Sequence, residues 1–178
     1  MKITGNSLYL RELQLEDADG NYPNWLNDPV VCKYNSHGDI NYTKEMAIEY
    51  INFVNNSLAH KVFAICVKKT DKHIGNVALQ QISKNNKSAE FAIILGEEEF
   101  MGKGLSKEAS KLILNYGFNQ LNLNRIYCGT SVNNLPMQKL AISLGMSEEG
   151  IARESVFKNG KFLDVINYGI LKVDNEKE

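Results

Sequence analysis

A mixed α/β fold, one sheet with helices on its faces, is what the sequence predicts. Three observations predict it. Strand-like runs crowd the first half of the chain, a strand–helix–strand–helix series occupies the centre, and an Asn-Gly pair near the C-terminus marks a hairpin. SLYLREL (Ser7 to Leu13) alternates as a strand does. Asp17 is placed to cap a first helix reaching Trp25 and Leu26, with Pro29 just beyond. A second helix is expected from Thr43 to about Asn56, because Met46, Ala47, Tyr50, Ile51 and Val54 recur at helical spacing. KVFAICVKK and HIGNVALQQIS read as two strands split by the turn signal Thr70-Asp71-Lys72. AEFAIIL (Ala89 to Leu95) reads as a buried strand. A helix from Gly104 to about Gln120 follows, with Leu105, Ala109, Leu112, Ile113 and Tyr116 on one face. RIYCGTSV (Arg125 to Val132) is the next strand, and a short helix from Leu135 to Leu144 stops at Gly145. VFKNGKF closes the series with Asn159-Gly160, a two-residue hairpin signal. About four helices result, in one domain over residues 1–173 with a polar tail at 174–178.

The 178 residues suffice for one core, and 43% apolar with 23% charged residues is ordinary for a globular chain. A net charge of −1 argues against a general nucleic-acid binder. No apolar run approaches the roughly 20 residues that span a bilayer, so no membrane partner is expected. Cys32, Cys66 and Cys128 are odd in number and far apart, indicating neither a disulfide framework nor a zinc knuckle, and a reducing cytoplasm is the simplest setting. His37, His60 and His73 stand at no metal-ligand spacing, so no metal is implied.

EEEFMGKGLSKEA (Glu97 to Ala109) places two glycines around a lysine at the start of a helix. Glycine permits positive φ and close approach to the main chain. A helix start offers unpaired N–H groups and the positive end of a dipole, a ready phosphate site. Leu105 after Gly104 removes the Lys-Ser or Lys-Thr pair of a magnesium-binding P-loop. A third glycine, as in a dinucleotide fingerprint, is also lacking. What remains is a metal-free pyrophosphate grip, or simply a tight turn.

The longer stretch AEFAIILGEEEFMGKGLSKEASKLILNYGFNQLNLNRIYCGTSVNNLPMQKLAISLGMSEEG resembles the acyl-CoA-binding core of the GNAT superfamily of N-acetyltransferases. It is most like the RimJ/RimL-type branch, with its ribosomal-protein, polyamine and amino-sugar acetyltransferases. YPNWLNDPVV is similar to the branch's Trp-Leu-x-Asp segment and VFKNGKFLDVINYGIL to its closing hairpin, so nearly the whole chain is covered. The resemblance implies a GNAT fold, a mostly antiparallel sheet splayed where acetyl-CoA binds. The implied reaction passes a short acyl group from acetyl-CoA to a primary amine of a small molecule or protein N-terminus, by direct attack in a ternary complex. It also allows a homodimer.

Residue by residue, the resemblance assigns the pyrophosphate to the N–H groups of Met101, Gly102, Lys103, Gly104, Leu105, Ser106 and Lys107. The two lysines add charge or are simply solvated. Ile93, Ile94 and Leu95 would pair with the pantetheine amides, at a splay that often involves a bulge. Asn134 would bond the arm from the other side, or cap the next helix, with Met137 and Lys139 beside the cofactor. Glu90 is the candidate base, its alternative being a salt bridge to Lys87 or Arg125. A base is needed because an amine of pKa about 10.4 is neutral only about once in 2,500 at pH 7. Glu97, Glu98 and Glu99 read as a solvated loop. Trp25, Tyr34 and Tyr42 fall in the region that walls the acceptor site, Trp25 reading rather as a core residue, and Tyr34, Asn35 and His37 are candidate substrate contacts. Where many members carry a tyrosine acid, this chain has Ala141. Ser143, Tyr127, Ser131 or water would then serve the departing thiolate, whose thiol pKa near 8.5 makes it a tolerable leaving group. Ala141 also leaves open a catalytically idle acyl-CoA-binding protein, and the loop alone a nucleotide-binding module. The acid-rich N-terminal third (Asp17, Asp19, Asp28, Asp39, Glu45, Glu49) fits a polyamine or aminoglycoside site or ordinary surface charge.

Overall fold

A computed structural model describes residues 1–35 and 40–175. Eight strands form one sheet in the order β1-β2-β3-β4-β5-β6-β8-β7. Short β1 (Lys2–Thr4) and β2 (Leu8–Glu12) open it, followed by β3 (Lys61–Val67), β4 (His73–Ser83) and β5 (Ser88–Leu95), each antiparallel to the strand before it. β6 (Arg125–Ser131) lies parallel to β5, and β7 (Ser147–Lys158) and β8 (Lys161–Leu171) complete the sheet. The helices are α1 (Tyr22–Trp25), α2 (Lys44–Asn56), α3 (Leu105–Asn119), α4 (Leu135–Ser143) and a single turn α5 (Lys172–Asn175).

Strand alternation divides the core in two. Val62, Ala64 and Cys66 of β3 face α1 and α2, while Phe63 and Ile65 face α3. α3 buries Ala109, Ile113, Leu114 and Tyr116 on that second face, and Phe63 meets Tyr116 edge-to-face at 5.5 Å. α3 also holds the N-terminal hairpin: Glu108 Oε1 accepts from Ser7 N–H at 2.7 Å and Leu8 N–H at 3.1 Å. Thr43 caps α2 by accepting from Met46 N–H, and Asn159 and Gly160 both take positive φ in the two-residue β7–β8 turn.

Three expectations are corrected. Asp17 does not begin a continuous helix. It sits inside a 3₁₀ turn, Leu15–Asp19, which Gly20 separates from α1. Its carboxylate is buried and takes two hydrogen bonds from Arg11, at 2.6 and 2.8 Å. Burial pushes that carboxyl up, but Arg11, His73 and the Gln14 N–H together hold it well below the usual range. The polar tail starts later than expected, since α5 runs to Asn175, whose Nδ2 donates to Asn115 of α3 at 3.2 Å. Finally, no bulge accompanies the splay. Register with β4 is unbroken from Gly75↔Leu95 to Gln80↔Glu90, and the irregularity falls later, between Gln80 and Ser83.

Candidate active site

β5 and β6 pair only at Ser88↔Arg125, Ala89↔Ile126 and Glu90↔Tyr127, and then part. Beyond Glu90, the β6-side edge of β5 has no strand partner. Every second N–H and C=O from Phe91 to Leu95 therefore points into a wedge. Ile93, Ile94 and Leu95 stand there half-buried. The chain leaves the wedge through Gly96 and a 3₁₀ turn, Glu98–Phe100, and enters α3 at Gly104. Gly102 and Gly104 take φ of +71° and +78°, and a Cβ at either would meet nothing within 4 Å. The first N–H groups of a helix have no intrahelical partner. Those of Leu105, Ser106 and Lys107 are therefore without intrahelical partners just after the left-handed glycines. Met101 N–H is the exception, donating to Glu98 O at 3.0 Å. Lys103 and Lys107 are exposed, and Lys103 lies over the Phe100 ring.

Opposite β5, Asn134 caps α4. Its Oδ1 accepts from Met137 N–H at 3.3 Å and its Nδ2 donates to Thr130 Oγ1 at 3.0 Å. Met137 packs against the core, whereas Lys139 is exposed on α4. Ala141 is fully buried against the core. Of the alternative acids, Ser143 donates to Leu140 O and Ser131 accepts from Asn133 N–H. Tyr127 shares the α2-side face with Glu90, its register partner. Cys128 points the other way, into the core, where burial first and then the charges of Glu90 and Glu149 push its thiol up to about 12. That makes it an inert thiol.

Glu90 lies on the same face of β5 as Ala92 and Ile94. Its Oε2 accepts from Gln80 Nε2 at 3.1 Å and Gln81 Nε2 at 2.9 Å. The salt-bridge alternative to Arg125 does not form, because that guanidinium pairs with both oxygens of Glu149. Gln80 also lines a cavity of about 400 Å³ over this face. The sheet supplies its floor through Asn76, Ala78, Ala92 and Ile94, and Tyr22, Tyr42 and Tyr50 wall it. Of the substrate-wall candidates, His37 lies outside the described residues. Tyr34 is half-buried near Lys33 and does not line the cavity, although the next residue, Asn35, does. Trp25 is 2% exposed and stands behind the wall rather than in it.

Trp25 explains a further correction. Its Nε1 donates to Glu97 Oε1 at 2.9 Å, and Glu97 also takes Asn21 Nδ2 at 2.7 Å and Lys72 Nζ at 2.6 Å. Glu97 is therefore a structural anion, not part of a solvated loop. Burial raises its pKa, but these donors outweigh it and hold it at about 2. A depressed carboxyl contributes stability above its unfolded value, about 4.5, and loses it as pH falls towards about 2. Glu97→Gln is expected to lower Tm at pH 7 by about 4–8 °C. It should also flatten the decline of Tm between about pH 5 and pH 2, which a pH series of thermal melts reads directly. Gly96 is the other half of this joint: a Cβ there would lie 2.0 Å from the Trp25 ring. Gly96→Ala is expected to cost about 1–3 kcal/mol by overpacking, measured by urea unfolding.

Sequence reasoning missed Tyr22, Tyr50, Asn76 and Gln80. A signal existed. In HIGNVALQQIS the polar Asn76 and Gln80 flank Ala78 at alternate positions, so one face of a strand otherwise buried is amide-lined.

Among the described residues no helix is long and apolar enough to cross a membrane, and no cluster of metal-ligating side chains occurs. Residues 7–147 match the acetyltransferase (GNAT) domain family. An N-acetyltransferase of Bacillus licheniformis, "Uncharacterized N-acetyltransferase p20", is 36% identical over 168 residues, 93% of each chain. The spermidine N(1)-acetyltransferase of Escherichia coli K12 is 29% identical over 95% of this chain and 88% of its own. The structure of the Vibrio cholerae spermidine N-acetyltransferase in complex with CoA and spermine superposes with a TM-score of 0.87. It is 29% identical and covers 96% of this chain and 98% of its own. With the wedge, the glycine loop at its mouth and this agreement along the chain, the protein belongs to the GNAT family of acetyltransferases and uses acetyl-CoA as its acyl donor.

Proposed function

We propose that the chain acetylates a primary amine by direct attack on acetyl-CoA in a ternary complex, with Glu90 as general base. The parting of β5 and β6 beyond Glu90↔Tyr127 carries this reading, because it sets a cofactor-sized wedge beside an amine-sized cavity with a carboxylate on the face between them. The pyrophosphate lies on the N–H groups at Gly102 to Lys107, where the helix dipole favours an anion. The pantetheine arm adds as a strand to the open edge at Ile93 to Leu95. Asn134, already committed to its cap and to Thr130, bonds the arm only by sharing its amide oxygen. An N–H on that open edge faces the thioester oxygen and stabilises its developing charge.

The amine enters over Ala78 and Ala92 and gives its proton to Glu90, directly or through one water. The thiolate leaves without a tyrosine acid, since Ala141 is buried and Ser143 is bonded back to its own helix. Tyr127 and solvent remain on the open side. We place the chain in the RimJ/RimL-like branch on the evidence of the Trp25-Leu26 segment and the closing β7–β8 hairpin. The experiment has two readouts on the purified protein. Calorimetry should show a single CoA site, and a thiol-release assay should show acetyl-CoA consumption that depends on an added amine. Binding without amine-dependent release would favour the idle acyl-CoA-binding alternative that Ala141 raises.

A further inference from the structure

The acceptor cavity differs in chemistry from what a polycationic substrate requires. Its described lining contains no charged side chain; it presents tyrosine hydroxyls, amides and aliphatic groups. Of the acids of the N-terminal third that would suit a polyamine, Asp39 lies outside the described residues, Glu45 and Glu49 do not line the cavity, and three more are engaged elsewhere. Asp17 is locked to Arg11, Asp19 pairs with Lys44, and Asp28 accepts from Val30 and Val31 N–H in its own turn. Glu90 is a single carboxylate, held by two glutamine amides. It suffices to take one proton but not to neutralise several ammonium groups. Burying extra unpaired charge is strongly unfavourable. For a lone amine, by contrast, the same uncharged surroundings favour the neutral, nucleophilic form.

One polar group in this cavity is held in a fixed orientation. His73 Nε2 lies 3.0 Å from Gly75 O and 2.8 Å from Asn76 Oδ1. The Gly75 carbonyl at Nε2 and the Asp17 carboxylate at Nδ1 can only accept, so both ring nitrogens donate and Asn76 must turn its oxygen towards the ring. Asp17 Oδ1, 3.2 Å from His73 Nδ1, fixes the ring from behind, and Trp25 packs on it edge-on at 4.9 Å. The Asn76 NH₂ is thereby left facing the cavity, with no protein acceptor among the described residues. It is a donor set in advance for an oxygen on the ligand.

We infer that the acceptor is a primary monoamine on an uncharged body carrying a carbonyl or hydroxyl oxygen, which Asn76 recognises, and not a polyamine. This rests on the acetyl-transfer reading above. It departs from the spermidine enzymes that the chain resembles, and it makes Asn76 a specificity residue with His73 and Asp17 as positioning residues behind it.

The test uses the full chain with saturating acetyl-CoA and three acceptors: phenylalaninamide, 2-phenylethylamine and spermidine. Phenylalaninamide is expected to exceed spermidine at least tenfold in kcat/KM. Asn76→Ala should shrink the preference of phenylalaninamide over 2-phenylethylamine at least fivefold, because the share due to the amine's own basicity survives the change and the share due to Asn76 does not. Asn76→Asp, nearly isosteric, should raise the spermidine-to-phenylalaninamide ratio at least tenfold by placing a carboxylate in the cavity. Spermidine turned over as well as or better than phenylalaninamide by the wild-type protein would overturn the inference, as would a CoA-binding protein that acetylates neither monoamine. The wild-type comparison stands even if a variant fails to fold. Absence of CoA binding would instead strike the acetyl-transfer reading itself, so the two failures are distinguishable.

Discussion

Glu90→Gln is expected to slow acetyl transfer about 10²–10⁴-fold at neutral pH while leaving CoA affinity near that of the wild type. The side chain keeps its size, and its amide oxygen can still accept from Gln80 or Gln81, which now hold the carboxylate. What is lost is the proton acceptor. The deficit should therefore shrink as pH rises, because more of the amine is then neutral without help: at pH 7 the handicap of a lysine-like amine is about 4.6 kcal/mol, and each pH unit removes about 1.4 kcal/mol of it. A merely structural carboxylate would depress rate or stability with no such recovery. Rate profiles from pH 6 to 9 on the folded variant decide the matter, and wild-type rates throughout would remove Glu90 from the mechanism.

Gly104→Val is expected to weaken CoA binding at least 100-fold with little change in Tm. The structure refines the reason. Nothing lies within 4 Å of a Cβ at Gly104, so the protein itself does not resist the side chain. The conflict is with the backbone, because φ of +78° is forbidding for a β-branched residue. A loop that relaxes to negative φ swings its N–H groups away from the phosphate. Asparagine tolerates the left-handed region. Gly104→Asn should therefore fall between wild type and Gly104→Val if conformation dominates, and match Gly104→Val if the side chain simply blocks the pyrophosphate. Calorimetric titration with CoA measures both, and a folded Gly104→Val protein that binds CoA as tightly as wild type would refute the phosphate-loop assignment.

Elements whose signals are local were legible in the sequence. α3 and α4 follow from apolar spacing with Gly104 before one and Gly145 after the other, and the β7–β8 turn follows from Asn159-Gly160. What was misread depends on partners distant in sequence. Asp17 looks like a cap until Arg11 on β2 is brought beside it. Glu97 looks solvated until Trp25, 72 residues earlier, donates to it. The thin edge β1 and the charged beginning of β7 carry too little apolar alternation to announce themselves. In the site, the glycine loop and the Glu90 strand could be read because chemistry and spacing coincide within a short segment. The acceptor cavity could not, because Tyr22, Tyr50 and Asn76 come from three elements that only the folded sheet and α2 assemble.

The three-residue seam between β5 and β6 gives the molecule the mechanics of a pair of tweezers. Two blades, β1 to β5 and β6 to β8, join where Glu90 faces Tyr127, and from there β5, still paired with β4 on its other edge, runs without a β6 partner through Phe91 to Leu95. At about 3.3 Å per residue that arm is about 16 Å long, so a rotation of a few degrees at the joint moves its tip by about 1 Å and the joint itself hardly at all. The gap therefore broadens from the Glu90 seam towards Leu95, with room for a bulky group at its mouth and only for a narrow chain beside the carboxylate.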